Sequence, residues 1–216
     1  MNEMTKKILL VGGGGHCKSV LDSLINTHQY SEIAVVDKPS KVNEKVLYAP
    51  IIGGDEDLER LYYAGFKYAF VSVGSIGDTS LRRKLMETIE AIGFVMPNII
   101  DPTAIISPYV DLAQGIFIGK RSVVNVGSVI NKGAIINTAA IIEHDCVIEK
   151  LTHISPGAVL NGGVHVGAYT YIGANSVVKQ QVAIGSNVII GMGSVVLNDI
   201  ENNVVAYGNP CMKVSK

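Results

Sequence analysis

An aliphatic residue recurs at every sixth position from Ile100 to Val196, seventeen times without interruption. Four residues after these positions, from Ser122 to Ser176, the chain carries a small or β-branched residue. No helix period divides such a repeat, and the alternation of a simple strand would not hold a period of six over so long a stretch. The repeat therefore predicts short strands joined by turns, with the aliphatic and the small residue both pointing into a narrow core.

Three such hexads make one triangular coil of eighteen residues, and stacked coils pair their strands in parallel. About five and a half coils fit between Ile100 and Ile200. Of the 216 residues none is Trp, only 4 are Phe, and 23 are Gly. A core built as a column of aliphatic side chains explains the scarcity of aromatics, and corners made by Gly, Asn or Asp explain the abundance of glycine.

The first half of the chain has a different pattern, in which buried strands alternate with helices. The predicted strands are 7–11, 33–36 and 68–73, and the predicted helices are 17–27, 55–63 and 79–92. A polar loop is expected before Gly53, and Asp55 is expected to cap the second helix. We therefore predict a Rossmann-like βαβαβα domain over residues 1–98 and a β-helix over residues 99–216.

Composition excludes several classes of protein. A hydrophobic fraction of 48% with a net charge of -1 excludes a disordered chain and argues against nucleic-acid binding. The uncharged stretch 151–178 contains Pro156 and several polar residues, so we read it as part of the repeat and expect no membrane insertion. Three widely spaced cysteines form neither a disulfide framework nor a metal motif, which predicts a reduced, cytoplasmic protein.

Two groups of residues are candidates for chemistry. A glycine cluster at 12–15 lies between a strand and a helix, where backbone N–H groups suit a pyrophosphate, and Asp37 ends the next strand, where an acidic residue often meets a ribose or base. Cys17 replaces the third glycine of the dinucleotide fingerprint, and a tight turn without a ligand is the alternative reading.

In the repeat, Asn137, His144 and His153 stand out. His144 occupies the third position of its hexad, an outward corner beside Asp145, where an imidazole can serve as a general base. An inert surface histidine is the more common alternative. Cys146 occupies the inward fifth position, which favours a core residue over a nucleophile.

Several motifs in order carry a family likeness: the hexads, the GGGGH turn, INTAAIIEHDCVI, THISPGAVLNGGVHVG and YGNPCMKV. Together they resemble the NeuD family of sialic acid O-acetyltransferases, which also contains the bacillosamine-pathway and perosamine N-acetyltransferases, and the likeness covers essentially the whole chain. It implies a left-handed β-helix, acetyl-CoA as co-substrate without a metal, a nucleotide-sugar substrate, and a homotrimer with active sites between neighbouring β-helices.

The resemblance also implies roles for individual residues. His144 would be the catalytic base and Asp145 its orienting partner. The positions implied for acetyl-CoA are Asn137, His153, Gly162 and Gly191, and those implied for the nucleotide-sugar are Gly13, Gly14, His16, Asp37 and Gly74.

The sequence motifs differ in which acetyl acceptor they indicate. The pair Asp37-Lys38 is closer to the O-acetylating branch, whereas the EHDC segment is closer to the N-acetylating branch. We predict N-acetylation of a UDP-4-amino-4,6-dideoxy sugar for surface glycan or protein glycosylation, with O-acetylation of a sialic acid as the alternative. A metal enzyme of γ-carbonic-anhydrase type, using His144, His153 and His165, and a non-catalytic solenoid are further rivals.

Overall fold

The computed structural model describes residues 6–214, which divide into two compact units. The first unit contains the described residues up to Gly74 together with Ser80–Pro97, and the second contains Ser75–Thr79 together with the chain from Asn98 onward. No helix within the described part of the chain combines the length and apolar character that crossing a membrane requires.

The first unit is built on a five-stranded sheet in the order β3-β4-β2-β1-β5. Its strands are β1 (Lys7–Val11), β2 (Glu32–Val36), β3 (Lys45–Val46), β4 (Ala49–Gly53) and β5 (Tyr68–Val71). Its α-helices are α1 (Gly15–Ile25), α2 (Leu58–Tyr63) and α3 (Ser80–Ile92), with 3₁₀ turns at Pro39–Lys41 and Asp55–Asp57. Strand β1 pairs in parallel with both β2 and β5, so the predicted alternation of strands and helices is confirmed.

Two details of the first unit correct the expectations. The predicted polar loop contains the hairpin β3–β4, and β4 adds in parallel to β2 because Val46, Ala49 and Ile51 bury their side chains. Asp55 does not cap the second helix: it begins the 3₁₀ turn Asp55–Asp57, in which the Asp57 Oδ2 accepts the Gly54 N–H at 3.0 Å, and α2 follows without a side-chain cap.

The second unit is a left-handed parallel β-helix whose three flat sides are sheets of two-residue strands. Each of the seventeen predicted aliphatic positions is the second residue of one strand, which confirms the repeat. Strands β6 to β22 are Ile99–Ile100, Ile105–Ile106, Asp111–Leu112, Phe117–Ile118, Val123–Val124, Val129–Ile130, Ile135–Ile136, Ile141–Ile142, Val147–Ile148, His153–Ile154, Val159–Leu160, His165–Val166, Tyr171–Ile172, Val177–Val178, Ala183–Ile184, Ile189–Ile190 and Val195–Val196.

Successive strands on one side lie eighteen residues apart, as in the pairs Ile141↔Val159 and Ile135↔His153. The inward column of aliphatic residues and the small fifth-position residues are buried from Ser122 to Ser176. Strands β23 (Val205–Tyr207) and β24 (Met212–Lys213) form an antiparallel pair at the end of the helix.

The corners of the β-helix contain residue types other than the expected Gly, Asn and Asp. A residue with φ between 55° and 75° recurs every six positions from Arg121 to Gly193, and Arg121, Leu151 and Tyr169 are among them. Backbone hydrogen bonds hold these corners, as when the Tyr169 N–H donates to the Lys150 carbonyl at 3.0 Å. The stacking of coils therefore imposes the left-handed φ even where the residue is not Gly, Asn or Asp.

Candidate active site

The corner at residues 143–146, which joins β13 to β14, is fastened to the coils on both sides. Ser128 Oγ donates to the Glu143 carbonyl at 2.8 Å, and the Asp145 N–H donates to the Val126 carbonyl at 3.0 Å. On the other side, the Gly163 N–H donates to the His144 carbonyl at 2.9 Å. The backbone that carries His144 is thus rigid while its side chain is exposed.

The His144 ring is paired with the carboxylate of its neighbour. Its Nδ1 lies 2.7 Å from the Asp145 Oδ2, and both side chains are more than half exposed. An ionised carboxylate only accepts hydrogen bonds, so Nδ1 carries the hydrogen and Nε2 is the basic nitrogen of the neutral ring. This pairing is the geometry in which an imidazole accepts a proton from a substrate.

Gly162 lies directly against the His144 ring. A Cβ atom at position 162 would come within 2.4 Å of the His144 Nε2 and 2.5 Å of its Cε1, so only glycine fits beside the ring in this position. The family resemblance implies a cofactor contact for Gly162; what the structure shows is that this glycine makes room for the imidazole.

Asn137 and His153 form a second polar group. The Thr138 N–H donates to the Asn137 Oδ1 at 2.8 Å, which identifies the amide nitrogen as the atom facing His153. That Nδ2 lies 3.2 Å from the His153 Nε2, and the His153 Nδ1 lies 2.9 Å from the Ser75 carbonyl oxygen. Since a carbonyl only accepts, Nδ1 is the donor and Nε2 accepts from Asn137.

His153 is therefore held from several sides. Its residue is only 8% exposed, and Tyr171 meets its ring edge-on with 5.3 Å between centroids. Both ring nitrogens are used within the protein, which leaves the second Nδ2 hydrogen of Asn137 as the donor that this group can offer to a bound molecule.

Sequence reasoning missed two partners of His153. Tyr171 follows it by eighteen residues, one coil further on, so the repeat contains a signal that could have found it. Ser75 comes from the segment 75–79, where no motif points to the β-helix.

Gly191 lies on the same corner column as Asn137, three coils further along. Strands in a sheet are about 4.8 Å apart, so the two positions are separated by about 14 Å along the helix axis. A Cβ at Gly191 would come within 2.6 Å of the Tyr207 Cβ, so the close approach of these two residues requires glycine at this position.

In the first unit, the chain turns sharply between β1 and α1. Gly12 has φ +103° and a Cβ there would lie 2.3 Å from the Val73 Cγ2, so the close approach requires glycine. Around Gly14 and Gly15 a Cβ would meet no atom within 4 Å, and Gly14 caps α1 without a side-chain hydrogen bond. The space beside the N-terminus of α1 at Gly14 and Gly15 is thus open, and a helix N-terminus favours an anion.

Asp37 closes the other side of this turn. Burial alone would raise the pKa of its carboxyl, but hydrogen bonds from Lys41, Lys38 and Gly13 outweigh burial and lower that pKa below the usual 3.8. The Lys41 Nζ lies 2.8 Å from Oδ2 and the Gly13 N lies 3.1 Å from it. The Gly13 N–H is therefore taken by Asp37.

A cleft of about 210 Å³ opens beside Asp37. Its lining combines carboxylates with apolar side chains: Gly12, Val36, Asp37, Lys38, Pro39, Asp55, Glu56, Val73, Leu81 and Leu85. His16 lies in the first turn of α1, and a Cβ at Gly74 would be 3.5 Å from the His16 Cβ, so these two predicted positions are neighbours. The structure thus brings Gly13, Gly14, His16, Asp37 and Gly74 to one end of the sheet.

The remaining candidates are placed as follows. Cys146 is fully buried, its thiol contacts the Asn161 carbonyl at 3.3 Å, and burial raises the pKa of that thiol, which confirms the core assignment. His165 is exposed, 3.6 Å from Glu149. Across residues 6–214, no three side chains of His, Cys, Asp or Glu are grouped so as to hold a metal ion.

Comparison with known proteins is consistent with this geometry. The PglD N-terminal domain model matches residues 7–89, and the model of the bacterial transferase hexapeptide, six repeats, matches residues 163–198. Perosamine N-acetyltransferase of Caulobacter crescentus, crystallised with CoA and GDP-perosamine, is 34% identical with a TM-score of 0.91, over 99% of this chain and 98% of that one.

The acetyltransferase domain of PglB from Neisseria gonorrhoeae, crystallised with acetyl coenzyme A, is 35% identical with a TM-score of 0.91, over 97% of this chain and 100% of that one. WeeI from Acinetobacter baumannii, at 22% identity and a TM-score of 0.84, shares the fold.

The β-helix and the match to the hexapeptide transferase model place the chain among the hexapeptide-repeat acyltransferases. Within that class the chain belongs to the NeuD/PglD-type family of sugar acetyltransferases. It is an enzyme that uses acetyl-CoA.

We expect His153→Phe to reduce stability by about 1–3 kcal/mol, because the ring keeps its packing on Tyr171 but leaves the buried Ser75 carbonyl without a donor. Urea unfolding measures this loss. His165→Phe is the matched control, since it occupies the same hexad position on another side and is exposed, and it should change stability by less than about 0.5 kcal/mol. Equal losses in the two variants would contradict the supporting role of His153.

Proposed function

We propose that this enzyme transfers the acetyl group of acetyl-CoA to the amino group of a nucleotide-linked 4-amino-4,6-dideoxy sugar. The observation that carries the proposal is the exposed His144 ring with its Nδ1 held by Asp145 and its Nε2 left as a proton acceptor. Support for an amino sugar comes from the Caulobacter relative, whose crystals contain GDP-perosamine. The sequence favours a UDP-linked sugar, so the experiment below compares uracil and guanine as the nucleotide base.

The reaction needs a single proton acceptor. The neutral sugar amine attacks the thioester carbonyl carbon, a C–N bond forms, and the C–S bond breaks to release CoA as a thiolate. His144 Nε2 takes the proton that the amine loses and returns it to the thiolate sulfur. The spare N–H of Asn137 is our candidate donor to the oxygen that becomes negative in the tetrahedral intermediate.

The corner column supports a path for acetyl-CoA. Asn137 and Gly191 lie on one edge of the prism, about 14 Å apart, which suits an extended molecule lying along that edge. Asn137 would meet the acetyl end, and Gly191 the part of the cofactor that passes close to the backbone. His153 acts in this proposal through Asn137, because its own nitrogens are used within the protein.

The first unit supplies the features that a nucleotide-sugar requires. The open N-terminus of α1 at Gly14 suits the pyrophosphate, and the ionised Asp37 suits a ribose hydroxyl or a base N–H. His16 and Gly74, which lie side by side, are proposed to contact the sugar. On this basis we assign nucleotide-sugar binding to residues 1–98 and acetyl transfer to residues 99–216.

We further propose that the enzyme is a homotrimer with active sites between subunits. One side of the β-helix, formed by β7, β10, β13, β16, β19 and β22, presents only aliphatic residues outward: Ile105, Val123, Ile141, Val159, Val177 and Val195. Such a continuous apolar ladder is typical of a protein interface. His144 comes two residues after β13, so it lies at the edge of this side, where a neighbouring subunit would reach it.

The product would serve in building a surface glycan or in protein glycosylation. The three free cysteines agree with a reducing compartment such as the cytoplasm.

A panel of acceptors tests the proposed reaction. We expect release of CoA from acetyl-CoA with a UDP- or GDP-linked 4-amino-4,6-dideoxy sugar, and a raised Tm with the nucleotide-sugar whose base is correct. The control is the same nucleotide-sugar with a hydroxyl in place of the amine. Turnover with a sialic acid and none with the amino sugars would favour O-acetylation instead.

Replacing His144, the proposed general base, should reduce turnover but not substrate binding. We expect His144→Asn to lower kcat by about 10²–10⁴-fold and to leave nucleotide-sugar binding nearly unchanged, because only the proton acceptor is lost. Steady-state kinetics and a ligand-induced Tm shift measure the two effects. His165→Asn, another exposed histidine beside a carboxylate, should keep the wild-type kcat, and a full kcat in His144→Asn would remove His144 from its role.

A charge on the apolar ladder should disrupt the trimer. We expect Val159→Lys to lower the oligomeric state measured by light scattering and to reduce activity with it, because an unpaired ammonium would be buried at the interface. Ala183→Lys places the same charge at the same hexad position on another side and should remain trimeric. A monomeric wild-type protein with full activity would refute the arrangement.

A further inference from the structure

We propose that Gly127 is a positioning residue, whose missing side chain leaves the space in which the Asp145 carboxylate lies and through it orients His144. This inference rests on the proposed function of the His144–Asp145 pair. Gly127 is part of neither the glycine turn of the first unit nor any motif noted in the sequence.

The geometry places the two residues in direct contact. Gly127 and Asp145 occupy the same corner on consecutive coils, eighteen residues apart, with φ of 75° and 60°. A Cβ at Gly127 would lie 2.5 Å from the Asp145 Oδ1 and 3.5 Å from its Cγ, and the three atoms nearest to that Cβ all belong to Asp145. Any side chain at position 127 would therefore displace the carboxylate.

Displacing the Asp145 carboxylate would change its hydrogen bond with His144. The other carboxylate oxygen, Oδ2, holds the His144 Nδ1 at 2.7 Å. The His144 ring packs against Gly162 on the following coil, whereas the Asp145 carboxylate packs against Gly127 on the preceding coil. Different coils therefore position the ring and the carboxylate. A carboxylate pushed away from Gly127 therefore loses its alignment with Nδ1, and with it the control of which nitrogen carries the hydrogen.

The backbone alone does not explain the glycine. Arg121, Ala139, Leu151 and Tyr169 occupy equivalent corners with φ of 55° to 63°, also positive although below the 75° of Gly127, and each has a side chain. The fold thus accepts non-glycine residues at such corners, where hydrogen bonds between coils hold the backbone. The contact with the Asp145 carboxylate is a constraint on position 127 that does not come from the backbone.

Gly157 provides a matched control. Its φ is +69°, and its Cβ would lie 2.2 Å from the Asn175 Oδ1, again eighteen residues further on. Gly157→Ala therefore introduces the same backbone strain and the same type of collision, but at a side chain that takes no part in the proposed reaction. The two variants should lose similar amounts of thermal stability.

The first experiment compares Gly127→Ala and Gly157→Ala in the full-length enzyme. We expect Gly127→Ala to lower kcat by about 10- to 100-fold with KM for both substrates nearly unchanged, because a shift of about 1 Å in a catalytic group has effects of this size. Gly157→Ala should keep kcat within about twofold while showing a similar fall in Tm. If Gly127→Ala does not fold, Gly127→Asn replaces it, since Asn tolerates a positive φ and still carries a Cβ.

A double-mutant cycle shows whether Gly127 acts through Asp145. In an Asp145→Ala background, the substitution at 127 should cause no further loss of kcat, since no carboxylate remains to be displaced. An impaired Asp145→Ala enzyme together with a wild-type kcat in the position-127 variant would overturn the inference alone, as would a further loss in the double variant. A wild-type kcat in Asp145→Ala would instead overturn the proposed role of the pair, and the inference with it.

Discussion

The parallel pairing of strands eighteen residues apart is the constraint on which the rest of this structure depends. Each strand contributes only two residues, so no strand is stable by itself, and its hydrogen bonds and buried aliphatic side chain are satisfied by the coils before and after it. The same register fixes every residue relative to the one eighteen positions away, as in Ile135↔His153. The surroundings of a corner side chain are therefore set by the residues at the same corner on the coils before and after it.

The proposed catalytic group uses this register directly. His144 lies against Gly162 and Asp145 lies against Gly127, each one coil away, so the reacting pair is located between coils rather than within a loop. The backbone of this corner is hydrogen-bonded on both sides, which lets an exposed imidazole keep one orientation without being buried. Rigid placement of an exposed imidazole is the property that the proposed role of His144 as a general base requires.

The β-helix and much of its site could be predicted from the sequence because the period of six assigns an orientation to each residue. It placed His144 on an outward corner and Cys146 in the core, as the structure shows. The hairpin at residues 45–53 escaped prediction because its few buried residues are separated by polar ones and a turn. The contact between His153 and Ser75 escaped it because an aperiodic segment supplies the partner.

His144 and His153 show how the position in the hexad decides what a histidine can do. His153 is the first residue of its strand, where its ring is covered and both nitrogens are used by Asn137 and the Ser75 carbonyl. His144 is two residues beyond its strand, on a corner where its side chain is 58% exposed, and its Nδ1 is engaged by Asp145. In the proposed reaction a general base needs one ring nitrogen fixed and the other able to reach the substrate, so the corner position makes His144 the candidate base and leaves His153 a supporting role.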